Sequence, residues 1–238
     1  MSHLLLRIKN WCRRFSHRRG YGVHSPADFY LITSVIYEKL PFYAYQSLHQ
    51  CRDREAVDRC YREKVDKMLF RLANYLQPRT WVNDVDDNRC TARYIEAACP
   101  NLKRLSVGQA EAEGTCPDLV HLGSSHYREN FSRLLPLVGN RTCFIIGAPY
   151  ASKEKEQWWR DVIADPRVGV TFDLYDIGLA FFEKKRCKEH RIVNFFLCVH
   201  HGKEQNLYTD RRPGPNFVSG RYPCQQDPCT AGSLWDHR

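Results

Sequence analysis

The sequence predicts an α/β protein: a mostly parallel sheet that ends in an antiparallel hairpin, behind a helical N-terminal extension. Two patterns carry that expectation. From residue 79 onward, short apolar runs alternate with amphipathic stretches, the order that builds a parallel sheet with helices on its faces. After residue 168 the alternation stops, and two apolar runs flank a short turn, which marks a hairpin. At 238 residues, with 43% apolar and 13% aromatic content, the chain can bury one sizeable core.

The elements follow in order. Leu4, Leu5, Ile8, Trp11, Cys12 and Phe15 recur at helical spacing between basic residues. They predict a basic amphipathic helix that docks its stripe on the body, with a membrane surface or nucleic acid as competing readings. Ser25, Pro26 and Asp28 then form a capping-box-like start. The helix that follows is expected to put Phe29, Ile32, Val35 and Ile36 on one face. His24, at its start, is read as structural in preference to pocket-lining. After the aromatic loop at Pro41–Tyr45, residues 46–76 read as a charged helical stretch with an apolar stripe of Val65, Met68, Leu69, Leu72, Tyr75 and Leu76, closed by Pro78.

Strands are predicted near 80–85, 102–107, 118–122 and 142–147, with helices near 90–98, 126–135 and 152–164 between them. The last helix opens at Ser152 and carries Trp158 and Trp159, one expected in the core and the other partly exposed. Val168 to Leu174 and Leu179 to Phe182 form the hairpin around a turn at Tyr175–Gly178. Ile192 to Val199 reads as an edge strand or a short buried segment. The chain thus divides into an extension with a basic arm at 1–62, an α/β domain at 63–198, and a disordered tail at 199–238 rich in proline and glycine.

Charge narrows the function classes. The net charge is +9, yet residues 1–22 alone hold Arg7, Lys9, Arg13, Arg14, Arg18 and Arg19 with no acid, leaving the body nearly neutral. Where residues 1–22 do not dock on the body, an anionic surface or nucleic acid is the competing partner their charge would suit. No apolar run approaches the roughly 20 residues of a membrane span. The start lacks the long apolar core and small-residue cleavage site of a secretory signal. The eleven cysteines are scattered, with no CxxC pair. Reduced thiols in a cytoplasmic protein are expected.

Several segments together carry a family resemblance. They are Arg19-Gly20-Tyr21-Gly22-Val23-His24-Ser25-Pro26, Val35 through Pro41, Gln77-Pro78-Arg79-Thr80, and Asp118-Leu119-Val120 through His126. To these add Ser152 through Trp159, Asp165-Pro166-Arg167-Val168, and Thr171 through Asp176. Over residues 18–196 the chain resembles a bacterial family of class I S-adenosylmethionine-dependent methyltransferases. The resemblance implies a Rossmann-like methyltransferase fold, S-adenosylmethionine as cofactor, a methyl acceptor as substrate, and a pocket at the carboxyl ends of the strands. By position it assigns cofactor contacts to Asp84, Val85, Asp86, Asp87, Ser124 and His126. No catalytic residue is assigned.

The same alignment exposes a rewritten pocket. In such folds a glycine-rich loop after the first strand lets backbone approach the cofactor, and an acid after the second strand accepts the ribose hydroxyls. Here the first loop reads Asn83-Asp84-Val85-Asp86-Asp87-Asn88-Arg89, with no glycine and an amide in place of the leading acid. No acid stands at the end of the second strand; Glu111 and Glu113 follow late. The acid-glycine pair after the next strand reads Gly123-Ser124. Between Val107 and Asp118 a helix, a strand and a further helix implied by the resemblance are missing. Three readings follow: a methyltransferase-like protein with cofactor binding weakened or lost, an active methyltransferase with an altered pocket built on Asp86, Asp87 and His126, or a non-enzymatic binding module using the basic arm.

Metal readings are weaker. Asp84, Asp86 and Asp87 with His126 offer oxygen-rich ligands for Mg²⁺ or Mn²⁺, against a solvated acidic loop as the simpler reading. His200, His201, Cys224 and Cys229 offer zinc ligands in a segment otherwise expected to lack structure.

Overall fold

The computed structural model describes residues 12–17, 20–54, 61–84 and 89–195. The expected tail at 199–238, the first eleven residues and the loop at 85–88 lie outside them. Seven strands form one sheet: β1 (Thr80–Asn83), β2 (Lys103–Leu105), β3 (Leu119–Leu122), β4 (Cys143–Gly147), β5 (Val170–Asp173), β6 (Ile177–Phe181) and β7 (Glu189–Ile192). Their order is β2-β1-β3-β4-β6-β5-β7. Strands β2, β1, β3 and β4 are parallel, β6 runs antiparallel between β4 and β5, and β7 adds a parallel edge beyond β5. This is the parallel sheet with a terminal hairpin that the alternation predicts.

Side-chain alternation divides the sheet's two faces. Trp81, Leu119, Cys143 and Ile145 belong to one core, and Val82, Val120, Phe144 and Ile146 to the other. Every residue of β3, β4 and β6 is buried. Central strands covered on both faces read as continuous apolar runs for this reason. Edge strands β2 and β7 carry Lys103, Arg104, Glu189 and Arg191, which discourages pairing with another chain.

Seven helices cover the faces among the described residues: α1 (Pro26–Tyr30, continued as a π-helix over Leu31–Ile36), α2 (Tyr45–Arg54), α3 (Glu63–Leu76), α4 (Arg89–Ala98), α5 (Val107–Glu113), α6 (Tyr127–Leu134) and α7 (Lys153–Ala164). Helices α1 to α4 share the first core with the sheet, and α5, α6 and α7 the second. Local chemistry sets their starts. The Ser25 side chain accepts from the Asp28 N–H, and that of Ser152 from the Lys155 N–H. Ser106 and Gln109 close a full capping box.

The differences from expectation have physical reasons. Strand β2 stops at Leu105 because Ser106 caps α5, so Val107 and Gly108 are helical. The connection over residues 106–118 thus carries one seven-residue helix straight from β2 to β3, and no strand intervenes. The charged stretch 46–76 holds two helices rather than one. Phe29 lies on the outer side at 47% exposure while Leu31 joins the core, because the π-helical turn shifts the buried face. Gly178 sits inside β6, not in the turn, and Trp159 lies on it: a Cβ there would stand 2.8 Å from the indole ring. That fit buries Trp159 alongside Trp158, so neither is partly exposed. The last strand comes earlier than expected, at Glu189–Ile192, with Val193 to Phe195 buried behind it.

Candidate functional site

The sheet's topology locates the site. Strand β1 leads through α4 on the first face to β2, while β3 leads through α6 on the second face to β4. The connections diverge between β1 and β3, and open α/β sheets place their ligands outside the carboxyl ends of the strands at such a point. Asn83, Asp84, Leu122 and Gly123 stand there.

Asp84 spans this point. Its N–H donates to the His121 carbonyl at 3.1 Å. Its carboxylate accepts from the Gly123 N–H at 2.7 Å, the Ser124 N–H at 3.2 Å and the Ser124 hydroxyl at 2.9 Å. Asn130 of α6 adds a 3.4 Å contact from its amide nitrogen. One carboxylate therefore ties the end of β1 to the loop after β3 and engages the free amides of that loop.

Beside it, His121 of β3 is 1% exposed. Its Nδ1 lies 2.9 Å from Asn83 Oδ1, and its Nε2 lies 2.8 Å from the Tyr61 hydroxyl. The Asn83 oxygen can only accept, so Nδ1 carries the proton and Nε2 accepts from Tyr61. Burial pushes the imidazole down to about 4; Asp84 opposes the shift and Lys155 adds to it. The ring is thus neutral at physiological pH. Tyr61 in turn lies against Gly147 at the end of β4, where any Cβ would collide with the phenol oxygen. Glycine is required there by close approach, not by backbone angle.

Tyr61 is held from behind. Arg52 donates to its carbonyl and to Asp66, and Thr91 of α4 donates to Asp66 at 2.6 Å. Burial lifts the Asp66 carboxyl to about 6, against the pull of Thr91 and Arg52. On the other face, the Lys155 ammonium sits 4.6 Å from the Tyr127 ring centroid. Burial lowers its affinity for a proton, and Asp84 works the other way.

Of the residues assigned by position, Asp84 and Ser124 meet directly. His126 is exposed at the start of α6, where its N–H donates to the Ser124 hydroxyl at 3.2 Å. Val85, Asp86 and Asp87 lie outside the described residues, as does the side chain of Arg89. No group of three or more His, Cys, Asp or Glu is placed to hold a metal among the described residues. The zinc ligands read in the tail also fall outside them. His24 is exposed, just ahead of the Ser25 cap of α1.

Tyr61, His121 and Lys155 were not singled out from the sequence. His121 carried a signal: an imidazole inside an otherwise apolar four-residue strand. A cleft of about 410 Å³, lined by Gln77, Arg79, Asn101 and Arg141 among others, opens at the opposite edge of the sheet.

No protein-family model matches the chain, and no curated protein does. Solved structures do. The O-methyltransferase TomG from Streptomyces achromogenes, in complex with SAM, is 11% identical, covers 60% of this chain and 91% of its own, and gives a TM-score of 0.44. The chain is similar to methyltransferases of known structure. An O-methyltransferase from Bacillus cereus in complex with SAH is 13% identical over 66% of this chain and 97% of its own, at a TM-score of 0.41. The SAH-bound methyltransferase PaMTH1 of Podospora anserina is 10% identical over 77% of this chain and 97% of its own, at 0.39. No helix among the described residues is long and apolar enough to cross a membrane.

Proposed function

We propose that this is a methyltransferase-like protein in which S-adenosylmethionine binding is weakened or lost. The observation that carries the reading is Asp84 at the divergence of β1 and β3. Its carboxylate accepts from the Gly123 and Ser124 amides and from the Ser124 hydroxyl, groups that would otherwise be free to face a ligand. Asn83 supports it: where the resemblance calls for an acid, an amide is committed to His121. Tyr61 supports it too, because its ring fills space over Gly147 at a strand end. These residues do not fit the cofactor the resemblance implies. A carboxylate-bearing ligand would meet Asp84 first, and like charges repel.

Isothermal titration of the full chain with S-adenosylmethionine and with its demethylated product tests this. No saturable heat is expected at micromolar ligand. Micromolar binding would sink the proposal and restore an active enzyme with an altered pocket, its methyl acceptor then to be sought.

A second reading keeps the chain as a binding module that uses its basic arm on an anionic partner. The observation that favours it is the exposure of Arg13 beside a run of basic residues with no acid. Association with a polyanion should weaken steeply between about 50 and 200 mM salt, since phosphate contacts release counterions. Salt-independent association would count against it.

A further inference from the structure

The cleft at the amino edge of the sheet lies at the far end of the strands from Asp84, and the reading above does not use it. Its volume is about 410 Å³, and its walls are the links that feed three parallel strands. Pro78 and Arg79 lead into β1, Asn101 and Leu102 lead into β2, and Arg141 stands two residues ahead of β4.

The chain's own bonds fix this frame. Gln77 turns with φ of 47°, and its N–H donates to the Ala73 carbonyl at 2.8 Å, which closes α3. The Lys103 N–H donates to the Arg79 carbonyl at 2.9 Å, so the links into β1 and β2 are bound to each other. Pro78 and Cys99 are buried and Leu102 packs against the first core, which gives the cleft an apolar floor.

Arg79 and Arg141 are exposed at its walls. Elsewhere on the surface Arg104, Arg128, Arg133, Arg160 and Arg167 each face a carboxylate. The guanidiniums of Arg79 and Arg141 make no hydrogen bond, ion pair or ring contact among the described residues. No described acid lines the cleft. Asp118, at the foot of the strand between β1 and β4, is engaged by the Arg79 N–H at 2.7 Å and the Thr80 N–H at 3.2 Å. The helix ends do not hold the guanidiniums either. The Ala73 and Asn74 carbonyls accept from Gln77, and the Ala97 carbonyl accepts from the Tyr43 hydroxyl.

Two like charges in one concave place disfavour each other, and a cleft of single sign concentrates counter-ions. The guanidinium fork matches the oxygens of phosphate and carboxylate. Charge selects between them: two cations suit a phosphate monoester, at about −1.5 to −2 near pH 7, better than one carboxylate. The volume falls within the range of small-ligand sites, roughly 300–1,000 Å³, and the floor offers contact to an apolar body.

We propose that this cleft binds a small organic phosphate monoester, its phosphate held by Arg79 and Arg141 and its apolar body resting on Pro78 and Leu102. The site stands apart from the cofactor crevice, so it can hold whether or not S-adenosylmethionine binds.

Isothermal titration of the full chain with phenyl phosphate, inorganic phosphate and benzoate tests it. Phenyl phosphate should give saturable heat, with inorganic phosphate and benzoate each at least about tenfold weaker. Arg79→Gln and Arg141→Gln should each weaken phenyl phosphate by about tenfold or more, the scale of one charged hydrogen bond, and the double variant should abolish the heat. Arg160→Gln, which removes a charge on α7, should leave it unchanged. Absence of saturable heat at millimolar phenyl phosphate overturns the proposal. So does undiminished binding by Arg79→Gln or Arg141→Gln, an equal loss in Arg160→Gln, or equal affinity for benzoate or inorganic phosphate. Should a glutamine variant fail to fold, Arg79→Lys and Arg141→Lys keep the charge without the fork; full affinity in both is likewise fatal.

Discussion

Asp84 does at the level of one residue what several glycines would have to undo. Its carboxylate satisfies two backbone amides and a hydroxyl from the facing loop. Replacing it with alanine leaves those donors unpaired in a half-buried place, and each lost bond of this kind costs about 1 kcal/mol, more to a charged acceptor. Asp84→Ala should therefore lose about 2–4 kcal/mol in urea denaturation; a loss under about 0.5 kcal/mol would show that the tie between β1 and the β3 loop is slack. His121 gives a pH signature. An unfolded histidine takes its proton near 6.5, while the buried one resists until about 4. Below 6.5 the unfolded state thus binds more protons, and stability falls as the pH drops, by up to about 3 kcal/mol. Asp66 opposes it: raised to about 6, it takes its proton in the folded state first and stabilises the fold as pH falls from 6. Between pH 7 and 5, His121→Gln should flatten the loss of stability and Asp66→Asn should steepen it. Identical slopes in both variants would refute the assignment.

Elements are held together by a small number of buried polar contacts that span long stretches of sequence. Asp28, at the first turn of α1, is 1% exposed and pairs with Arg186 and with Arg191 of β7. This ties the N-terminal helix to the added edge strand. Breaking a buried pair by removing one partner costs about 3–5 kcal/mol, because the other charge stays behind uncompensated. Asp28→Ala should lose stability on that scale and should speed amide exchange in β7 before the central strands; uniform exchange would show that β7 stands without the pair. Gly178 sets the fit between β6 and α7. Its missing side chain is the space Trp159 occupies, so Gly178→Ala should cost about 1–3 kcal/mol by overpacking. A neutral substitution would mean the indole can shift.

Across the described residues, helices of the extension and strands of the α/β domain share one core. Leu31, Ile32, Val35 and Leu48 belong to the same cluster as Trp81, Ile145, Phe172 and Phe195. The N-terminal helices are therefore a layer of the sheet's own packing. A core shared in this way unfolds together. Thermal transitions followed by far-UV circular dichroism and by tryptophan fluorescence should coincide. Two separated transitions would instead favour an extension that folds independently of residues 63–198.

The sequence alone fixed the alternation of β1 to β4 with their helices, because apolar period and turn residues are local properties. Ser25, Ser106 and Ser152 likewise mark helix starts by chemistry confined to one turn. It also showed a loop without glycine at Asn83–Arg89 and a short connection before Asp118, since both are matters of residue type and chain length. What it could not hold were pairings at a distance. Tyr61 reaches His121 over 60 positions, Asp84 reaches Ser124 over 40, and Arg14 reaches Asp173 over 159. Each depends on which strand ends the sheet order makes neighbours, and no local pattern encodes that. The same limit misplaced Gly178 and the tryptophan pair: the glycine is read in a turn, and one of Trp158 and Trp159 as partly exposed, until Trp159 is seen to fill the space over Gly178. Sequence thus determined the alternation that builds the fold, and tertiary structure decided which of the chain's own side chains meet at the strand ends.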